Sequence, residues 1–139
     1  MKAPGKTAGI YYSDNVFWEV TMGFENIRPE EIFRHRGSGT GMIIDLRSHK
    51  DYTGSHIPGA VCIPYEELNR RIPELRRWAE QCNRKYGRSA LILYCDRGNT
   101  SMRAARDLYN RGFNVKNVYG GISSYKGPKS FVDGIGKSR

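Results

Sequence analysis

The chain has 139 residues, enough for one compact domain but not for two full cores. With 38% hydrophobic and 27% charged residues its composition is that of a globular protein, which excludes a disordered chain, and no apolar run approaches the roughly 20 residues that span a bilayer. The formal net charge of +9 points towards anionic partners, and the three cysteines, Cys62, Cys82 and Cys95, lie too far apart for a disulfide framework or a CxxC metal site.

Residues 1–23 show no periodicity, yet Tyr11, Tyr12, Phe17 and Trp18 make them too apolar for a free tail. They are read as an N-terminal extension that packs onto the domain. No apolar stretch resembling a secretory signal occurs in the first ten residues, so a cytoplasmic location is expected. Pro29 with Glu30 and Glu31 predicts a helix start, ending near Arg36 before Gly37. Met42 to Asp45 predicts a short buried strand, and the polar stretch through Gly54, Pro58 and Gly59 predicts a loop. Ala60 to Ile63 predicts a second strand, and Leu68 with Ile72 a short helix. Pro73 then opens a helix whose apolar face is Leu75, Trp78, Ala79, Cys82 and Tyr86, stopped by Gly87.

Ala90 to Tyr94 is the strongest strand signal in the chain, and it runs directly into Cys95. A helix follows from about Ser101 to Arg111, with Met102, Ala105, Leu108 and Tyr109 as its apolar face and Gly112 at its end. Val115 to Val118 predicts a last strand, Gly120-Gly121 a turn, and Ile122 to Tyr125 a short final helix. From Lys126 the chain is expected to be loosely held, with 129–139 a C-terminal tail. Strands alternating with helices predict an α/β domain over residues 24–128 with a mostly parallel sheet, in which sites form at the carboxyl ends of strands.

Cys95 occupies that kind of position. The run Cys95-Asp96-Arg97-Gly98-Asn99-Thr100-Ser101 places a thiol between a buried strand and a helix N-terminus. Loop N–H groups there can form an anion-binding nest, and the helix adds its positive dipole end. Both favour a thiolate over a thiol. Gly98 permits a left-handed turn, and Thr100 or Ser101 offers a hydroxyl to cap the helix. Arg97 attracts an anionic substrate, whereas Asp96 opposes one. Cys62 and Cys82 lie in apolar contexts and are read as packing residues. His56 is read as bracing a turn, and His35 and His49 as exposed. Arg47 is read as a structural ion pair with Asp51 or another acid. The basic stretch Arg70 to Arg88 is read as a solvated helix face.

Three stretches carry a resemblance. Cys95 to Thr100 resembles the six-residue active-site loop of the rhodanese family. Asp45-Leu46-Arg47, Asp51-Tyr52 and Gly54-Ser55-His56-Ile57-Pro58-Gly59-Ala60 resemble its upstream signature. Val115 to Gly121, followed by Tyr125, resembles its closing pattern. The departures are Ser55, inserted between Gly54 and His56, Asp51 and Tyr125 in place of the more common Glu and Trp, and Asp96 in a loop that is often basic in members acting on thiosulfate.

The resemblance implies a rhodanese-like three-layer α/β domain with a central mostly parallel sheet flanked by helices. It implies a sulfurtransferase in which Cys95 is the catalytic nucleophile and carries a persulfide, with Asp96, Arg97, Gly98, Asn99, Thr100 and Ser101 binding substrate. No metal and no cofactor are expected. The implied partners are a small sulfur donor such as thiosulfate and a thiol or cyanide acceptor, with a protein cysteine as a further acceptor. Neither a membrane nor a nucleic acid is expected. A phosphatase or arsenate reductase of related fold is the less favoured rival. It needs an oxyanion-binding arginine six residues after the cysteine, where this chain has Ser101. The other rival is a non-catalytic binding module of the same fold.

Overall fold

The computed structural model describes residues 24–132; the expected N-terminal extension and the end of the tail lie outside them. Five strands form one sheet: β1 (Glu25–Ile27), β2 (Gly41–Asp45), β3 (Val61–Cys62), β4 (Ala90–Tyr94) and β5 (Val115–Val118). Their order is β1-β5-β4-β2-β3, and every pairing is parallel. β4 lies at the centre, with Leu93 opposite Ile44 of β2 and opposite Asn117 of β5.

β4 explains the layering. Its side chains alternate between faces, as strand geometry requires. Leu91, Leu93 and Cys95 join one apolar cluster, while Ile92 and Tyr94 join the other. The first cluster is covered by α2 (Ile72–Tyr86) through Leu75 and Ala79, and by α3 (Asn99–Asn110) through Ala104, Ala105 and Leu108. The second is closed by Ile32, Ile57, Ile122 and Tyr125 from 3₁₀ turns and loops. The result is the expected three-layer α/β arrangement around a parallel sheet. Each fully buried Leu or Ile contributes about 1.5–3 kcal/mol, which is how strands this short hold together.

The helix ends follow the sequence signals. Gly87 caps α2 in the left-handed region. After α3, Gly112 N–H donates to Tyr109 O (2.9 Å) and Phe113 N–H to Leu108 O (3.1 Å), turning Phe113 into the core. Several expectations are corrected. Pro29–His35 is a 3₁₀ helix, and the short helix expected around Leu68 is two 3₁₀ turns, Tyr65–Glu67 and Asn69–Arg71. Within the expected loop lies α1 (His49–Gly54), whose N-terminus is capped by Ser48 Oγ accepting from Asp51 N–H at 3.1 Å. β1 was not expected at all. Tyr86, expected on the apolar face of α2, is exposed.

The chain beyond Lys126 is held rather than loose as far as Val132. Ser130 and His56 exchange two backbone hydrogen bonds of 2.8 Å each, and Val132 N–H donates to Thr53 O at 3.0 Å. No helix among the described residues is long and apolar enough to cross a membrane.

Candidate active site

Cys95 follows the last residue of β4, at the carboxyl edge of the sheet, and its side chain is only 6% exposed. Its Sγ accepts hydrogen bonds from the backbone N–H of Gly98 (3.1 Å) and of Ser101 (3.3 Å). The Ser101 hydroxyl lies 3.4 Å from the same sulfur and also reaches Gly98 O at 3.2 Å. α3 begins at Asn99, and its N-cap, Gly98, stands at φ 106° with no side-chain cap. This corrects the expectation that Thr100 or Ser101 caps the helix. The acceptor at the head of α3 is the sulfur itself, bonded to the N–H of the N-cap and of the third helical residue. A negative sulfur is stabilised there by both the N–H groups and the helix dipole.

The loop is wedged from below by the turn after β5. Ile122 N–H donates to Cys95 O and Ser123 N–H to Asp96 O, both at 3.0 Å. Gly121 stands at φ 64°, and a Cβ there would sit 2.5 Å from the carbonyl oxygens of both Cys95 and Asp96. Only glycine permits that approach. The sequence reading made Gly120-Gly121 a simple turn; the structure makes it the floor of the loop.

The sulfur faces a cleft of about 380 Å³ lined by Leu46, Arg47, Asp51, Cys95, Asp96, Arg97, Asn99 and Thr100. Of the six residues expected to bind substrate, Asp96, Arg97, Asn99 and Thr100 line this cleft. Gly98 and Ser101 lie beneath it and bond the sulfur. The opposite wall, Leu46, Arg47 and Asp51, comes from the end of β2 and from α1. It was not singled out in sequence as part of the site. The signal for it is that β2 and β4 are neighbours, which puts the residues just after both strands on one edge.

The second wall is anchored by a buried network. Asp45 is fully buried and accepts from Arg47 N–H (2.9 Å), Arg47 Nε (3.0 Å), Arg47 Nη2 (2.8 Å) and Tyr94 OH (2.7 Å). Tyr94 OH in turn accepts from Ile57 N–H at 3.1 Å, and Arg47 Nη2 also donates to Ser55 O at 2.6 Å. Arg47 is therefore paired with Asp45, not Asp51. Burial works against the guanidinium charge, but the hydrogen bonds and charge of Asp45 outweigh it and raise the Arg47 pKa. Burial, reinforced by Asp45, also pushes the Tyr94 phenol up. His56 is fully buried, bonds Tyr52 O through Nδ1 (2.8 Å) and stacks on the Tyr52 ring, in keeping with a bracing role. His35 is half-buried, not exposed, and burial together with Lys116 lowers its pKa.

The other thiols differ from Cys95. Cys82 is buried and directs its Sγ at Gly39 O (3.2 Å), and burial followed by the Asp45 charge pushes Cys62 up to about 11. Among the described residues no three His, Cys, Asp or Glu side chains gather closely enough to hold a metal ion.

The family profile of the rhodanese-like domain matches residues 29–128. The chain belongs to the rhodanese-like domain family. The rhodanese-like domain of this protein is 34% identical over 100 residues to an HTH-type transcriptional regulator of Mycobacterium tuberculosis, covering 72% of this chain and 41% of the regulator. It is 31% identical over 87 residues to thiosulfate sulfurtransferase 16, chloroplastic, of Arabidopsis thaliana, covering 59% of this chain and 71% of that protein. Among solved structures it resembles reduced CoADR-RHD from Bacillus anthracis with a TM-score of 0.62 and 27% identity, over 80% of this chain and 18% of that one. The chain thus spans under half of the regulator and under a fifth of the Bacillus protein. Its relatives include proteins named as sulfurtransferases, at low identity.

Proposed function

We propose that this rhodanese-like domain is a sulfurtransferase that carries a sulfane sulfur as a persulfide on Cys95. The observation that carries the reading is the pair of backbone N–H groups, of Gly98 and Ser101, bonded to a cysteine sulfur that borders an open cleft. A thiol placed only for packing has no need of that arrangement; a nucleophilic thiolate does.

In the proposed cycle the Cys95 thiolate attacks the sulfane sulfur of a donor such as thiosulfate. A bond forms between Sγ and that sulfur, the donor S–S bond breaks, and its electron pair leaves on sulfite. A thiol or cyanide then attacks the outer sulfur of the Cys95 persulfide, and the thiolate returns. The backbone N–H groups at the head of α3 hold negative charge throughout without moving, which is how preorganised dipoles lower a barrier. The first helical bond of α3 is made by Met102 N–H to Gly98 O (3.0 Å), so the N–H groups of Asn99 and Thr100 precede it. They are suited to holding the outer sulfur or the leaving oxyanion. Ser101 stands where a phosphatase-type loop would need its arginine, which favours sulfur transfer over oxyanion hydrolysis.

The test is thiocyanate production from cyanide with thiosulfate, mercaptopyruvate and an alkyl persulfide as alternative donors, for the wild-type chain and for Cys95→Ala and Cys62→Ala. Turnover with at least one donor, lost in Cys95→Ala and retained in Cys62→Ala, is the expected result. Absence of turnover with all three donors would overturn the reading in favour of a binding module.

A further inference from the structure

The charges around the cleft run against those of the whole chain. The protein carries a net +9, yet the cleft has two carboxylates, Asp51 and Asp96, against two guanidinium groups, Arg47 and Arg97. One of those cations is already committed, because Arg47 is bonded through both Nε and Nη2 to the buried Asp45. Among the described residues lining the cleft, the carboxylates therefore outnumber the uncommitted cation. Asp96 is adjacent to the sulfur in sequence, and it is fixed there. Its carbonyl accepts from Ser123 N–H (3.0 Å), and its Oδ1 accepts from Ser123 Oγ (3.3 Å), so the turn after β5 holds the carboxylate of this cleft-lining residue.

The position matters because of how a donor must approach. The sulfur to be transferred has to reach Sγ, close to the N–H groups of the nest, so the group that carried it occupies the cleft that Asp96 and Asp51 line. An anionic carrier meets the carboxylates there, and an ammonium group is attracted by them. We infer that Asp96, assisted by Asp51, makes this site select sulfane sulfur presented on an amino-thiol, as an aminoalkyl hydropersulfide, over sulfur presented on an anion. This rests on the reading of Cys95 as the persulfide carrier.

The step balances without an oxidant or reductant. The Cys95 thiolate attacks the outer sulfur of R–S–SH, forming the new S–S bond as the old one breaks. The electron pair leaves on the carrier sulfur, which takes up the proton of the hydropersulfide and departs as R–SH. Cys95 is left as its persulfide anion, with Sγ held by the N–H groups of Gly98 and Ser101 and the outer sulfur by those of Asn99 and Thr100.

Three small persulfides of similar size separate charge from chemistry: those of 2-aminoethanethiol, 2-mercaptoethanol and 3-mercaptopropionate. The readout is the rate at which intact protein gains one sulfur, at low and high salt, for the wild type, Asp96→Asn and Asp51→Asn. Asn keeps an oxygen to accept from Ser123 while removing the charge. The expected order in the wild type is aminoalkyl, then neutral, then carboxylate, with about tenfold between the extremes. That is the effect of one carboxylate charge on two carriers that differ by two unit charges, at about 6 Å in an effective dielectric of about 80. Asp96→Asn should compress the series to within about threefold, and high salt should compress it in the wild type. Equal rates for the three donors, a faster carboxylate donor, or an unchanged series in Asp96→Asn would overturn the inference while leaving the Cys95 persulfide intact. Loading from thiosulfate or mercaptopyruvate but from none of the three persulfides would overturn the inference alone; loading from none of the five would overturn the sulfurtransferase reading as well.

Discussion

Replacing Gly121 by alanine tests how firmly the loop that carries Cys95 is wedged against the turn after β5. The backbone at Gly121 has φ 64° and ψ −161°, a region that is essentially glycine-only and costs other residues about 1–3 kcal/mol. The new Cβ would also sit 2.5 Å from the carbonyl oxygens of Cys95 and Asp96. Both are backbone atoms, so no side chain can swing aside to relieve the clash. Moving the turn away breaks the bonds from Ile122 N–H to Cys95 O and from Ser123 N–H to Asp96 O, each 3.0 Å long. At about 1 kcal/mol apiece these bring the total to about 3–5 kcal/mol, a large share of the stability of a domain this size. With a urea slope of about 1–3 kcal/mol/M, the unfolding midpoint should fall by about 2 M. Sulfur loading of the folded fraction should slow as well, because one of the carbonyls that move belongs to Cys95, the proposed nucleophile. Gly54→Ala is the control: its Cβ meets nothing within 4 Å, and the change should stay within about 1 kcal/mol. A Gly121→Ala protein that unfolds within about 1 kcal/mol of the wild type and loads sulfur at the same rate would refute the wedge.

Asp45→Asn removes the charge that holds Arg47 and Tyr94, and should destabilise the domain by about 3–5 kcal/mol, measured by urea unfolding. Loss of under about 1 kcal/mol would show that the network does not brace the cleft wall. Tyr94→Phe leaves Ile57 N–H without its buried acceptor and should cost about 1–3 kcal/mol by calorimetry. Ser101→Ala removes a buried hydroxyl that accepts from the Cys95 thiol and donates to Gly98 O, and should cost about 1–3 kcal/mol by urea unfolding; a loss under about 0.5 kcal/mol would show that the hydroxyl does not brace the loop. Cys62, pushed up to about 11, has about one molecule in a thousand ionised at pH 8. Brief alkylation at that pH, mapped by peptide mass, should therefore spare Cys62. Labelling of Cys62 should rise as the pH approaches 11.

The centre of the fold was readable because its signals are dense. Ala90 to Tyr94 is a continuous apolar run, as a strand buried on both faces must be, and the residue after it had to stand at the sheet edge. α2 and α3 showed their apolar stripes and their glycine stops. The elements that were missed have little to show. α1 buries no residue, so there is no periodicity, and it is held by the Ser48 cap. β1 buries only Ile27 and exists because β5 offers it an edge. In the site, the loop was legible as a contiguous run, whereas the opposite wall was not. Arg47 and Asp51 meet Cys95 only because β2 lies beside β4, and Gly121 reaches the loop only because β5 lies on the other side. The structural ion pair expected of Arg47 was with Asp51 or another acid, and that other acid is Asp45. Asp45 reads as the polar end of a strand, yet it is fully buried, and a buried carboxylate takes the nearest cation. The helix cap was missed because a thiol is not an expected capping group.

The central claim is that Cys95 receives the sulfur. The most direct measurement is the intact mass of the protein after incubation with a sulfane-sulfur donor and removal of the excess, with and without dithiothreitol, for the wild type and Cys95→Ala. The account predicts a gain of one sulfur atom, about 32 Da, that dithiothreitol removes and that Cys95→Ala never acquires. An adduct that persists in Cys95→Ala, or no adduct from thiosulfate, mercaptopyruvate or any persulfide, would contradict it.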